Sequence, residues 1–109
     1  MHYLTFGPTN VKVYRVSVLA ELDRYGEAVE ANGGLTIPQD RPKSRTSHHY
    51  AEVARAQMWT GKLEASFQSL LKARKTAPQQ AKYHPTVRET YSGLEAAHRK
   101  ALALTIISS

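Results

Sequence analysis

Two adjacent histidines with a glutamate one helical turn further on, His48, His49 and Glu52, form the densest group of chemically versatile side chains in the sequence. On a helix His48 and Glu52 share a face at i and i+4, a spacing that can ligate a divalent cation. Two or three ligands without a fuller pattern such as His-Glu-x-x-His make a weak centre, so no metal is assigned. His84 is expected to pack beside a helix start at Pro85, and His98 to sit near a helix C-terminus, where positive charge is stabilised. Nucleophilic catalysis lacks its means, because there is no cysteine and no Gly-x-Ser-x-Gly elbow. The nine acidic residues are scattered over outward faces instead of converging. Gly33-Gly34 ends a helix and does not open one, which removes a phosphate-cradling loop. No enzymatic activity, catalytic residue or cofactor is expected.

Charge offers a second route to function. The 109 residues carry 15 Lys and Arg against 9 Asp and Glu, a net charge of +6. Residues 1–40 hold three cations and five acids, whereas residues 41–109 hold twelve cations and four acids. The basic half can attract nucleic acid or an acidic peptide, or simply be a solvated helical surface. Its clusters, Arg41-Pro42-Lys43-Ser44-Arg45 and Lys72, Arg74 and Lys75, suit phosphates but carry little aromatic interleaving for base stacking. A small nucleic-acid-associated protein without sequence specificity is therefore the alternative function. Absence of cysteine also excludes disulfides and thiolate metal sites. The start, Met1 to Phe6, lacks the pattern of a signal peptide, and the longest charge-free apolar stretch, residues 101–107, falls far short of the ~20 residues of a bilayer span. A cytoplasmic, single-domain protein without a membrane partner is expected.

The elements that must position these groups read as helices. Thr9 or Asn10 can cap a first helix after Gly7-Pro8, with Val11, Tyr14, Val18 and Leu22 as its stripe, widened by Val13, Val16, Leu19 and Ala20. Its β-branched valines make a strand the competitor, and a length of about 14 residues without a turn decides for helix. Asp23 to Gly26 turns, Glu27 to Ala31 forms a short helix, and Asn32-Gly33-Gly34 ends it. Residues 35–47 read as a loop, with Ser44, Thr46 or Ser47 as the next cap. Tyr50, Val53, Ala54, Gln57 and Met58 mark a helix ending at Gly61, and Leu63, Phe67, Leu70 and Leu71 mark another closed by Ala77-Pro78. Pro85 begins a last helix faced by Val87, Tyr91 and Leu94, and residues 101–107 extend it or fold back. The expected fold is all-α, about five helices in antiparallel hairpins.

Hairpins in series invite a search for a period. Ala54, Gly61, Ser66, Leu70, Ala73 and Pro78 follow the tetratricopeptide (TPR) consensus of small, turn, large apolar and terminal Pro positions, and Gly26-Glu27-Ala28 repeats the turn signal. Ala28 to Ser66 spans 38 residues, a 34-residue repeat with about four inserted in the loop. Repeats of about 9–34 and 47–78 result, separated by an inserted loop at about 35–46 and followed by a capping helix at about 84–100. Gln57 and Arg88 depart from the consensus, and Ser66 keeps its small position with serine in place of the usual alanine. A longer likeness is carried by Phe6-Gly7-Pro8-Thr9-Asn10-Val11, Ala51-Glu52-Val53-Ala54-Arg55-Ala56, Leu70-Leu71-Lys72-Ala73 and His84-Pro85-x-Val87-Arg88-Glu89. Over most of residues 5–95 the chain resembles the C-terminal TPR region of actinobacterial helix-turn-helix regulators of the xenobiotic-response-element (XRE) type.

The resemblance implies a short right-handed solenoid that senses a ligand, binds a peptide or protein, or forms a homodimer. DNA would be reached only through a helix-turn-helix domain that this sequence does not contain. It also implies a concave groove lined by first-helix positions. In this register the groove holds Asn10, Val13, Ser17, Ala20 and Glu21, then His48, Ala51, Arg55, Met58 and Trp59, then Lys82, Pro85, Glu89, Ser92 and Gly93. Candidate ligand-binding residues are Asn10, Ser17, His48, Arg55, Trp59 and Lys82. Arg55 and Lys82 suit a carboxylate or phosphate, Trp59 an apolar anchor and Asn10 an extended backbone. The competing roles are helix capping for Asn10, cover of a hairpin end for Trp59, and solvation for Arg55.

Overall fold

A computed structural model describes residues 8–38 and 40–108, with the side chains of residues 8–10, 102 and 105–108 outside that description. Within those bounds the chain forms six helices and no strand: α1 (Pro8–Glu21), α2 (Tyr25–Asn32), α3 (Lys43–Trp59), α4 (Leu63–Thr76), α5 (Pro78–Tyr83) and α6 (Pro85–Ser108). Helix α3 is the axis of the arrangement, touching α1, α2, α4, α5 and α6. The whole measures 62 × 29 × 21 Å.

The valine-rich first segment is helical because Val13, Val16, Leu19 and Ala20 recur at steps of three, three and one and so fall on one buried face. Val16, Leu19 and Ala20 join Ala28, Val53 and Ala56 in the aliphatic core between α1, α2 and α3. The stripe expected to lead, Val11, Tyr14 and Leu22, is exposed instead. Short side chains let α1 sit close to two neighbours at once, and the bulk of Tyr14 stays on the open side.

Both hairpins turn in the same way. Asp23 (φ 59°) and Gly61 (φ 83°) each adopt the left-handed conformation just past a helix end. The next amide then reaches back five residues: Arg24 N–H donates to Leu19 O at 2.9 Å, and Lys62 N–H to Gln57 O at 2.8 Å. This is the closure of a Schellman motif. The first bonds of the second helices, Ala28 N–H to Arg24 O (3.0 Å) and Ser66 N–H to Lys62 O (2.9 Å), correspond likewise. Every one of these pairs is separated by the 38 residues seen between Ala28 and Ser66 in the sequence.

Helices α3 and α4 pack most extensively of all pairs. Their seam is made of small residues: Ala51, Ala54 and Ala73 with Ser47, Ser66 and Ser69, all buried. Leu70 enters it, whereas Leu63, Phe67 and Leu71, expected on the same stripe, are partly exposed. Ser47 does not cap α3, nor does Ser44 or Thr46; the helix starts at Lys43 behind Pro42 with no side-chain cap. Proline at that position fixes the backbone angle by its ring, so no hydroxyl is needed, and the inserted loop ends earlier than expected. Ser47 Oγ instead donates to Ala73 O across the seam at 2.9 Å.

The count of about five helices is corrected to six. Ala77-Pro78 follows the end of α4 as expected, and Pro78 also opens α5, because proline is well tolerated where the first-turn amide has no partner. Helix α6 begins at Pro85 as expected and runs on to Ser108, so the tail continues the helix instead of folding back. His98 consequently lies well inside α6 and is exposed, away from a helix end.

Candidate binding groove along the central helix

A chain of hydrogen bonds crosses α1, α3 and the start of α6. Glu52, buried in α3, accepts from Ser17 Oγ of α1 (3.1 Å) and from His48 Nε2 (2.8 Å). His48 Nδ1 meets His84 Nε2 at 2.9 Å, and His84 Nδ1 accepts the Thr86 N–H at 3.2 Å. That last bond fixes the proton positions of the rest. While His48 is neutral, His84 carries its proton on Nε2 and donates it to His48 Nδ1, and His48 carries its own on Nε2 and donates it to Glu52. The sequence reading placed His84 beside the Pro85 helix start, where it does lie; the link to His48 had no signal, because 36 residues separate the two. His84 acts there as a cap, its ring satisfying a first-turn amide of α6.

Electrostatics divide these groups. The hydrogen bond to Glu52 raises the His48 pKa in spite of burial. For Glu52, burial pushes upward, but the hydrogen bond and charge of His48, with the Ser17 bond, outweigh it and lower the pKa. Burial lowers His84, with the His48 charge acting in the same direction. His49 points the other way on α3, donating Nε2–H to Asn32 Oδ1 of α2 at 3.1 Å. Burial and the nearby Arg41 charge push His49 down to about 4, so it is neutral near pH 7. Both His48 nitrogens are spent on neighbours, and among the described residues no group of three or more His, Asp or Glu is arranged to hold a metal ion.

One turn further along α3 the surface becomes aromatic and cationic. Trp59, 63% exposed, stacks on Tyr25 of α2 with ring centroids 6.0 Å apart and planes within 15°. The Arg55 guanidinium lies 5.6 Å from the centre of the same Tyr25 ring. Tyr25 is itself held by a 2.7 Å hydrogen bond from its hydroxyl to Asp23 Oδ1 in the turn. Arg55 and Trp59, with Met58, form one wall of a cavity of about 360 Å³ whose other wall is Glu89, Thr90 and Gly93 of α6, and Tyr25 backs the first wall from behind Trp59 and Arg55. Thr90 is fully buried, and its Oγ1 has no hydrogen-bond partner among the described residues. A β-carbon at Gly93 would collide with the Met58 side chain, so glycine lets α6 approach α3 there.

The candidate residues thus divide. Ser17 and His48 meet at Glu52, and Arg55 and Trp59 share the adjoining cavity. Lys82 stands apart, exposed on α5 with its ammonium 5.5 Å from the centre of the Tyr83 ring. Asn10 belongs to α1, and its side chain lies outside the described residues. Glu52, His84, Thr90 and Tyr25 were not among the candidates. Glu52 had been paired with His48 by spacing alone, but Tyr25 enters only through the fold of α2 against α3.

No protein-family model, no curated protein and no solved structure matches this chain. None of the helices among the described residues is long and apolar enough to cross a membrane.

Proposed function

We propose that this chain is a TPR-type module that binds a peptide or protein segment, akin to the ligand-sensing half of an XRE-type regulator. The observation that carries this reading is the cavity between α3 and α6, where Arg55, Met58 and Trp59 face Glu89 and Gly93. All five stand at positions that the repeat register assigns to a ligand groove. Support also comes from the 38-residue correspondence of the two hairpin turns and from α3 lying beside both α1 and α6. The right-handed solenoid itself belongs to this proposal.

Recognition follows from the chemistry of the walls. A large apolar side chain of the partner covers Trp59 and Met58, which otherwise keep apolar surface in water. An acidic group of the partner pairs with Arg55 through charge-assisted hydrogen bonds. The net charge of +6 speeds encounter with acidic partners.

Calorimetric titration with an extended hexapeptide carrying one glutamate and one phenylalanine tests the proposal. Arg55→Ala and Trp59→Ala should each weaken binding roughly tenfold or more while circular dichroism stays unchanged. Unaltered affinity in both variants would remove the groove as the site.

A further inference from the structure

At the opposite end of α3, about 22 Å from Trp59 by helix rise, lies a second cavity of about 270 Å³. It is lined by Arg41, Ser44, Arg45 and His48, with Gln80 of α5 across from them. Two guanidinium groups share this space, and neither is paired with a carboxylate within salt-bridge distance among the described residues. Arg41 Nη1 is buried and has no hydrogen-bond partner among the described residues. A buried guanidinium N–H left without an acceptor is costly, and proximity of a second arginine adds repulsion. The neighbouring helix start makes the imbalance larger. The first turn of α3 has no acidic residue and no side-chain cap, so its partial positive charge is also uncompensated. Ser44 and Gln80 are exposed at the cavity and can donate through the hydroxyl and the side-chain amide.

We infer that this cavity binds a phosphoryl-type oxyanion, a free phosphate or the phosphate of a monoester. Donors arriving from several directions, two arginines, a hydroxyl and an amide, suit a tetrahedral dianion better than a planar carboxylate. His48 does not take part as a donor, because both of its nitrogens are engaged with Glu52 and His84. The bound anion would accept from the other N–H groups of Arg41 and from those of Arg45, and relieve the repulsion between the two guanidiniums. The site is separate from the Arg55–Trp59 cavity, so either can fail without the other.

Titration of the whole protein with inorganic phosphate, at ionic strength held constant with sodium chloride, tests the inference. Amide and arginine Nε–H resonances are followed by NMR. Saturable binding with a dissociation constant on the order of 1 mM or tighter is expected, with Arg41 and Arg45 Nε–H signals shifting most. Arg45→Gln should weaken it about tenfold or more, and Arg41→Gln likewise if that variant remains folded. The control Lys72→Gln/Arg74→Gln, which removes two charges elsewhere, should leave it unchanged. Phosphoserine binding that competes with inorganic phosphate at equal affinity identifies the free anion's chemistry as sufficient, while tighter phosphoserine binding identifies a monoester as the ligand. An equal loss in the Lys72/Arg74 control, or shifts that never saturate, would overturn the site. So would binding confined to duplex DNA with a steep salt dependence and no displacement by phosphate, since that marks a diffuse polyanion surface.

Discussion

The two seams of α3 are built from different materials. Against α1 and α2 it packs through aliphatic side chains, with Val16 and Ala20 fully buried beside Ala28 and Val53. Against α4 it packs through alanines and serine hydroxyls: Ser66 Oγ donates to Ala54 O and Ser69 Oγ to Gln57 Oε1, both at 2.6 Å. The first seam is held by burial of apolar area, which is non-directional and tolerates rearrangement. The second is held by close approach of two backbones, with each hydrogen bond adding about 1 kcal/mol and fixing the register. Registration matters because α3 presents Glu52, Arg55 and Trp59 on its remaining face.

Acid should produce the largest difference between the seams. His49 is neutral in the fold, with its pKa pushed to about 4 against an ordinary 6.5, so the unfolded chain takes up a proton first. The associated stability is complete above about pH 6.5 and is lost as pH falls to about 4, on the order of 3 kcal/mol. The lowered pKa values of His84 and Glu52 act in the same direction. The raised pKa of His48 opposes them, stabilising below its ordinary value and fading as pH rises through the folded one. Urea unfolding across this range should show stability falling toward acid, and His49→Gln, which keeps a donor for Asn32, should flatten the profile. An unchanged slope in that variant would assign the acid sensitivity elsewhere.

Bulk discriminates next. Ser66→Leu inserts volume where nothing is exposed and should cost about 2.5 kcal/mol, while Phe67→Leu, one residue on and 41% exposed, should stay within about 0.5 kcal/mol. Equal effects in denaturation would mean that the hydroxyl seam is looser than it looks. On the aliphatic side, Val16→Ala removes two methyl groups and should cost about 2 kcal/mol, against a few tenths for Val11→Ala on the exposed face. The smallest stability change is expected for Gly93→Ala. Its gain in helix propensity, about 1 kcal/mol, is offset by displacement of Met58, leaving a net change within about 0.5 kcal/mol. Peptide binding should nevertheless weaken, because the displaced Met58 narrows the cavity.

Much of the helical order was legible because turn residues punctuate the chain: Asp23 and Gly61 end helices, and Pro85 begins one. What escaped were features that depend on neighbours. Apolar spacing on α1 fits two overlapping stripes, and only the nearness of α2 and α3 selects Val13, Val16 and Leu19 over Val11 and Tyr14. Similarly, Pro78 reads equally as a stop and as a start, so α5 was invisible. In the candidate site, Ser17, His48, Arg55 and Trp59 could be named from the repeat register, since they all derive from first helices. Tyr25 and Thr90 could not, for an aromatic partner in another helix and an orphaned hydroxyl have no signature in one dimension.

Trp59 is the single tryptophan of the chain, so its emission reports on the proposed groove alone. Titrating the protein with the Glu- and Phe-containing hexapeptide and following that emission, beside Arg55→Ala as control, tests the central claim most directly. The groove predicts a saturable change in Trp59 emission that weakens about tenfold or more in Arg55→Ala. Emission that does not saturate, or that responds identically in Arg55→Ala, would contradict it.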